Sequence, residues 1–355
     1  MVTPKFLASN GTSFHADLKK RINNYFVEIN AKPKGNIKLY TKAIILVVSL
    51  IAVYVHLVFF TPPVAIALLE CILLGAIVSG IGFNIMHDGA HGSFSSRKWI
   101  NNLAGLSLNF VGANVFMWKT KHNVIHHTYT NIDEVDDDLN ARPFLRLCEN
   151  QKHYKIHKFQ HYYFIAAYSL LYLYWVFFTD YKKYFTGKVG DIPIKKMNLS
   201  DHISFWGFKA FFLVSFILVP IYFVGFLPWL IGFLVFGLFT GVLISLVFQL
   251  AHSVEEASFP IPDVAQKMDD EWAIHQLKTT ANFATKNKIV SWFTGGLNFQ
   301  IEHHLFPNIS HIHYPEISKI VKETCRDYNI PYIEFPKVRA AVASHYSHLR
   351  HLGMG

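Results

Sequence analysis

The chain has 355 residues, of which 52% are hydrophobic, 16% aromatic and only 16% charged. So many apolar and so few charged residues exclude an ordinary soluble domain and favour a membrane protein. The formal net charge of +9 suits anionic lipid headgroups or an acidic protein partner, and no charge pattern indicates nucleic-acid binding. The three cysteines, Cys71, Cys148 and Cys325, are scattered and form neither a metal-binding nor a redox motif.

Four apolar runs are each close to the ~20 residues that a helix needs to cross the hydrocarbon core of a bilayer. They cover residues 43–60, 64–86, about 208–226 and 230–251. A fifth stretch, residues 162–178, is rich in Tyr and borderline in length, so we expect it to lie at the membrane interface.

Short links join the spans in pairs. Residues 61–63 (Thr-Pro-Pro) connect the first two spans, and residues 227–229 (Leu-Pro-Trp) connect the last two. These links predict two helical hairpins, with the N-terminal, middle and C-terminal segments on one side. That side carries many Lys residues before the first and third spans, whereas the links carry none, so the positive-inside rule predicts that it is cytoplasmic. The polar N-terminus gives no sign of a cleavable signal peptide.

No internal repeat or low-complexity linker divides the chain, so we expect a single domain over residues 1–355. The predicted fold is an all-α membrane protein with four transmembrane helices in two hairpins and a cytoplasmic helical cap. Its expected parts are a cytoplasmic N-terminal segment (1–42), the first hairpin (43–86), a cytoplasmic middle segment (87–207), the second hairpin (208–251) and a cytoplasmic C-terminal segment (252–355).

Three short clusters contain histidines whose spacing allows them to face one point. They are His87-xxx-His91, His122-xxx-His126-His127 and Gln300-xx-His303-His304. Residues four apart on a helix lie on the same face. Imidazole is a ligand for iron, zinc and copper, and no cysteine or carboxylate cluster competes with these histidines. Together the three clusters predict a site for two metal ions, held in the cap against the membrane.

His252 directly follows the fourth apolar run, as His87 directly follows the second, so both are expected at one membrane surface. Glu256, four residues further on, is placed to orient the His252 ring. We interpret other histidines without a metal. The set His153, His157 and His161 is expected to form a polar helix face near the membrane, and the set His345, His348 and His351 a basic tail.

These residues resemble the motifs of the integral-membrane fatty acid desaturases over about residues 60–335. The most specific part is the string at 295–307, Gly-Gly-Leu-Asn-Phe-Gln-Ile-Glu-His-His-Leu-Phe-Pro. Gln300, in place of the first histidine of the third motif, is similar to the front-end branch, which acts between an existing double bond and the carboxyl end. The His-Pro-Gly-Gly haem signature of a fused cytochrome b5 domain does not occur, so we expect a separate electron donor, either ferredoxin or cytochrome b5.

The resemblance implies O2-dependent desaturation of a long-chain fatty acyl substrate, either an acyl-CoA or an acyl-lipid, at two iron ions. Zinc is able to replace iron in purified protein because the same ligands suit it. The implied metal ligands are His87, His91, His122, His126, His127, His252, His303 and His304. His252 is included because related desaturases also carry a ligand histidine after their fourth span. Gln300 is expected either to be a weaker ligand or to bind through water.

Partners for the second ring nitrogen of each ligand are expected close in sequence. Residues near the clusters are able to supply such a partner, namely Asp88, Asp133, Asp136, Asp137, Asn298 and Glu302, and among them we favour Asp88, Asn298 and Glu302. The run at residues 136–138 (Asp-Asp-Asp) is instead expected to be a solvated loop.

Two alternatives stay open at this point. A hydroxylase or acetylenase on the same scaffold would use the same oxidant, which can return oxygen to the substrate instead of taking a second hydrogen. A non-enzymatic membrane metal-binding protein or transporter would need polar residues along the spans. His56, Glu70 and Ser79 do not form such a path, so this second alternative is disfavoured.

Overall fold

The structure is a computed structural model that describes residues 3–8 and 13–355. Four helical segments are long and apolar enough to cross a membrane. They are Ile37–Phe60, Val64–His91, Leu199–Val224 and Phe226–His252. The prediction of an all-α membrane fold with four spans is confirmed.

Eighteen α-helices follow one another along the described residues. They are α1 (Phe14–Glu28), α2 (Ile37–Val55), α3 (Val64–Ile81), α4 (His87–His91), α5 (Lys98–Phe110), α6 (Val115–Lys119), α7 (His127–Tyr129), α8 (Gln160–Ser169), α9 (Leu171–Tyr174), α10 (Asp180–Thr186), α11 (Leu199–Leu213), α12 (Val219–Val224), α13 (Phe226–His252), α14 (Trp272–Lys278), α15 (Lys288–Phe293), α16 (Gln300–Leu305), α17 (Tyr314–Asp327) and α18 (Val338–Met354).

Short π-helical and 3-10 turns and four two-residue strands complete the secondary structure of these residues. The π turns are His56–Phe60, Gly82–Met86, Thr120–His126, Trp175–Thr179 and Val214–Leu218, and the 3-10 turns are Asp137–Leu139, Lys155–Phe159 and His311–His313. β1 (Lys188–Val189) pairs antiparallel with β2 (Ile192–Pro193), and β3 (Asn282–Phe283) pairs parallel with β4 (Glu334–Phe335). The strands are too short to form a layer, so helices build the fold.

The first hairpin turns where the sequence predicts, but the second does not. Thr61 adopts a left-handed conformation (φ 44°) and the helix resumes at Val64. The predicted second link at residues 227–229 is wrong, because the chain turns at Gly225 (φ 86°) and α13 already begins at Phe226. Pro228 lies in the first turn of α13, where its missing N–H costs no helical hydrogen bond.

Capping residues start two spans earlier than the apolar pattern indicates. The Asn36 side chain accepts a hydrogen bond from the backbone N–H of Lys38, so the first span begins at Ile37 rather than at residue 43. Asn198 and Asp201 cap each other's backbone N–H groups, so the third begins at Leu199 rather than at about 208. Each cap satisfies donors that the first helical turn leaves free.

The second and fourth spans also run further than predicted, through His91 and His252 instead of ending at residues 86 and 251. Both histidines are buried beneath the segments outside the four spans, which we call the cap. The helices therefore continue beyond their apolar stretches into the protein interior. Since α3 packs along α13, the histidine-bearing ends of the two hairpins meet at one end of the bundle.

The predicted interfacial stretch is helical but sharply bent. The segments Lys155–Ser169 and Leu171–Thr186 meet at 53°, and both α8 and α9 pack on α13. A side chain at Gly241 of α13 would overlap the backbone carbonyl of Ser169, so this close approach requires glycine. The position of the bent segment at the membrane interface stays a prediction.

The cap, which consists of the segments outside the four spans, has its own apolar core, in which α1 packs against α17. Leu18 and Ile22 of α1 are buried with Ile317 and Val321 of α17. α18 packs on α8, and its His345 and His348 are buried, so the expectation of a basic tail is wrong for these two histidines, whereas His351 is exposed. Polar partners explain this burial, since His348 Nε2 bonds to the carbonyl oxygen of Leu147 at 3.0 Å.

The expectation of a polar surface face for the middle histidine set is also wrong for two of its members. His157 and His161 are buried. His157 Nε2 lies 2.8 Å from the carbonyl oxygen of Pro143, which gives the buried ring a hydrogen-bond partner.

Candidate metal centre

Seven buried histidines form two groups in which one nitrogen of each ring lies within 4.8 Å of the others. Centre A consists of His87, His91, His122 and His303, and centre B of His126, His252 and His304. The structure therefore brings together histidines from all three sequence clusters and the isolated His252. None of these side chains is more than 8% exposed.

His127 lies between the two centres. Its ring centroid is 4.5 Å from that of His303 in centre A and 4.4 Å from that of His304 in centre B. Its Nε2 is 3.2 Å from Nε2 of His122. The eighth predicted ligand thus joins the two groups into one site.

Gln300, the ninth predicted ligand, is at centre B. It is the first residue of α16 and is fully buried. Its Nε2 lies 3.1 Å from Nε2 of His252, and its Oε1 has no hydrogen-bond partner in the described residues. The amide oxygen is therefore free to face a metal or a metal-bound water.

π-helical turns carry or precede two of the histidine clusters. The turn Gly82–Met86 leads directly into His87, and the turn Thr120–His126 contains His122 and His126. The rings of these last two residues are 5.3 Å apart and inclined by 23°. Their shared face therefore comes from a π turn rather than from the regular α-helix that the spacing predicts, and such turns are frequent at functional sites.

Several ring nitrogens at the centres are buried and lack any partner in the described residues. They are Nε2 of His91, His126, His303 and His304, and Nδ1 of His127. Buried polar atoms are nearly always hydrogen-bonded, so five such atoms around one point need another explanation. Imidazole nitrogens with a free lone pair fit metal ions, and this donor set suits iron or zinc.

The electrostatics favour the neutral form of most of these rings, with His126 as the exception. Burial and the neighbouring imidazoles hold the pKa of His122, His303 and His304 well below its usual value. Burial also acts on His126, but the adjacent Asp136 carboxylate outweighs it and raises the pKa of that ring. Rings that are neutral at pH 7 can donate a lone pair to a metal without first losing a proton.

The Nδ1 atoms of four rings have partners on the side away from the centres. In centre B, His126 Nδ1 lies 3.0 Å from the Asp136 carboxylate, and His304 Nδ1 lies 2.8 Å from Gln276 Oε1. His252 Nδ1 faces the carbonyl oxygen of Thr279 at 3.3 Å, so the expected contact with Glu256 is wrong.

In centre A, His303 Nδ1 lies 3.3 Å from the Tyr314 hydroxyl. Sequence reasoning missed Gln276, Thr279 and Tyr314, since none lies in a histidine cluster and no local pattern marks them. The expectation of a solvated loop at residues 136–138 is wrong for Asp136, which is only 3% exposed and is the one candidate partner from the sequence that the structure places on a ligand ring.

The three residues to which an orienting role was assigned bond elsewhere. Asp88 accepts from Ser310 (2.7 Å) and faces His311, while Glu302 accepts from Asn282 (2.7 Å). Asn298 bonds to the side chains of Thr294 and Ser291. Consecutive residues on a helix point in different directions, so Asp88 and Glu302 face away from the rings beside them. These bonds tie the histidine-bearing segments to the cap.

Comparison with known proteins agrees with this geometry. A family model described as fatty acid desaturase matches residues 61–336. The chain is 36% identical over 354 residues to the sn-1 linoleoyl-lipid 6-desaturase of Arthrospira platensis, an alignment that covers 99% of this chain and 96% of the relative. It is also 36% identical over 351 residues to the sn-1 linoleoyl-lipid 6-desaturase of Synechocystis sp., with 98% and 97% covered. Identity to the acyl-lipid (8-3)-desaturase of Physcomitrium patens is 32% over 358 residues, with 99% and 74% covered.

Proposed function

Because the chain belongs to the fatty acid desaturase family, we propose that it introduces a double bond into the acyl chain of a membrane lipid, at a front-end position. The chain is an oxidoreductase. The two relatives that align almost end to end are named as lipid desaturases, which favours an acyl-lipid over an acyl-CoA substrate. Gln300 in the third histidine motif supports the front-end position.

The observation that carries this proposal is the pair of buried imidazole centres joined by His127. We propose iron at both. Zinc suits the same ligands but undergoes no redox change, so it cannot support removal of two hydrogens from an unactivated chain. Two bound iron ions would supply the electron changes that activate O2.

The electron balance calls for a donor. Reducing O2 to two molecules of water takes four electrons and four protons, and the acyl chain provides two of each as it becomes an alkene. The other two electrons and two protons come from outside. We propose that a separate small protein of the ferredoxin or cytochrome b5 type delivers the electrons. The chain is basic overall, so docking of an acidic donor would be steered by charge and weaken with salt.

The side chains around the metals position the ligands and exclude water. The buried Trp118 indole stacks on His122, with ring centroids 4.3 Å apart and planes inclined by 23°. Asp136 and Gln276 accept from Nδ1 of their histidines, which leaves Nε2 free for the metal. The proposed active site faces the cytoplasm, and the Lys-rich segments before the first and third spans support this orientation.

Expression in a host that lacks polyunsaturated lipids tests the function. The cells are fed defined monounsaturated and diunsaturated fatty acids, and mass spectrometry locates each new double bond in separated lipid classes. We expect a new double bond between an existing one and the carboxyl end, present first in glycerolipids. His303→Ala serves as the inactive control. A hydroxylated product, or a new double bond on the methyl side, would contradict the proposal.

A further inference from the structure

One short helix outside the three histidine clusters contacts the metal centre along a single face. The helix is α14, Trp272–Lys278, and the residues concerned are Trp272, His275, Gln276 and, directly after it, Thr279. Their spacing of three and four places them on one side of the helix. The Trp272 indole N–H donates to the carbonyl oxygen of His127 at 3.0 Å. α14 is therefore hydrogen-bonded to the backbone of the histidine that joins the two centres.

Gln276 connects this helix to centre B. Its side chain is fully buried, and its Oε1 accepts from His304 Nδ1 at 2.8 Å. The Thr130 hydroxyl lies 2.8 Å from the same oxygen and 2.6 Å from the carbonyl oxygen of His126, and its single hydrogen can be donated to either acceptor. Gln276 therefore contacts one ligand of centre B directly and the backbone of a second through Thr130.

The C-terminal end of α14 reaches the third ligand of centre B. The carbonyl oxygen of Thr279 faces His252 Nδ1 at 3.3 Å and accepts from the Asn131 side chain at 3.2 Å. Asn131 also donates to the carbonyl oxygen of His252 at 2.9 Å. His275 lies 2.9 Å from the carbonyl oxygen of Thr130 and anchors the same loop. All three ligands of centre B are thus connected to one helix.

Centre A lacks this support. Each imidazole of centre B has an Nδ1 partner, whereas in the described residues the Tyr314 hydroxyl, 3.3 Å from His303, is the only such partner in centre A. A partner on the second nitrogen fixes the tautomer and orientation of a ligand and makes it a better donor, typically changing metal affinity by roughly 10- to 100-fold. The two centres are therefore not equivalent.

We propose that α14 is a positioning helix that makes centre B the tighter of the two metal centres, and that Gln276 is the positioning residue for His304. This inference rests on the proposed two-metal function. It concerns residues that do not touch the metals, so it predicts a change in metal affinity at one centre rather than a general loss of structure.

Stepwise removal of metal tests the inference without relying on activity. The purified, iron-loaded enzyme is equilibrated against increasing concentrations of a chelator, and the iron remaining per chain is counted by mass spectrometry. We expect two separate phases in the wild-type protein, with the ion at centre B leaving last. Gln276→Met keeps the shape of the side chain but removes the acceptor. In this variant the metal affinity reported by the tight phase should fall by about 10- to 100-fold, while the weak phase should occur at the same chelator concentration as in wild type.

Two further variants separate positioning from folding. Gln276→Glu keeps an acceptor for His304, and the Nε2 that it removes has no partner in the described residues. Its tight phase should therefore resemble that of wild type and not that of Gln276→Met. Gln160→Met is the matched control. That glutamine is equally buried, but its amide bonds to the backbones of Arg146 and Leu349. It should lower the melting temperature and leave both phases unchanged.

A single phase in the wild-type protein would overturn the inference, as would a tight phase that Gln276→Met leaves unchanged or a loss of both phases to the same extent. Size-exclusion chromatography shows whether each variant is folded. If Gln276→Met does not fold, the wild-type titration and Gln276→Glu still decide the question. A wild-type protein that binds no metal would overturn the proposed function itself, whereas one that binds two ions equally would overturn only this inference.

Discussion

Asp136→Asn tests how the loop after the second histidine cluster supports the site. One carboxylate oxygen of Asp136 accepts from His126 Nδ1 and from the backbone N–H of Asn131, both at 3.0 Å. The other accepts from the backbone N–H of Asp138 at 3.1 Å. Asparagine has almost the same size, but it removes the negative charge and replaces one acceptor oxygen with an N–H2 donor.

The expected losses follow from these contacts. A hydrogen bond to a charged group contributes about 1.5–3 kcal/mol, so the free energy of unfolding of the metal-free protein should fall by about 2 kcal/mol. His126 Nδ1 also loses a charged acceptor, because the amide oxygen that remains is a weaker one, and metal affinity at centre B should fall by roughly 10- to 100-fold. That range corresponds to about 1.4–2.7 kcal/mol of binding free energy.

Asp137→Asn is the matched control for this substitution. The Asp137 carboxylate lies 3.5 Å from Lys121 Nζ in a partly exposed pair, and such pairs contribute about 0–1 kcal/mol. Both variants are compared with wild type by thermal denaturation of the metal-free protein, by iron retained against a chelator, and by desaturated lipid in cells. If Asp136→Asn behaves like Asp137→Asn in all three measurements, Asp136 does not support centre B.

Three further outcomes are expected. His252→Ala should abolish desaturation and lower bound iron while the protein still inserts and folds, and an active variant with two irons would contradict this role. Gln300→Ala should lose most activity but retain more iron than His304→Ala, because an amide is a poorer ligand than imidazole; wild-type activity would make Gln300 purely structural. Burial, which outweighs the bond to the Ser253 carbonyl, lowers the pKa of His345 from 6.5 to about 4. The folded state therefore disfavours the protonated ring, and this group makes the free energy of unfolding depend on pH. Its contribution, on the order of 3 kcal/mol, is fully present above pH 6.5 and is lost as pH falls through about 4. Melting temperatures across this range should fall less steeply for His345→Asn than for wild type, and equal slopes would sink the idea.

The sequence by itself determined the fold class and the family. Transmembrane helices are encoded by local apolar runs, and four such runs indicated the four spans. The histidine clusters are equally local, because residues three to five apart lie within one or two turns of the same helix. His252 was also predicted as a ligand, from its place directly after an apolar run and from the resemblance to the desaturases, and the structure places it in centre B.

Tertiary structure alone decided how the ligands divide and what supports them. His122 and His126 lie in one π-helical segment and close to each other, yet His122 also groups with His87, His91 and His303, whereas His126 groups with His252 and His304 from other segments. The Nδ1 acceptors show the same dependence on folding. Asp88 is adjacent to His87 but points away from it, whereas Gln276 bonds to His304 from a different helix. Each imidazole has a single direction in which its second nitrogen can bond, and only the packing of distant segments determines which group lies there.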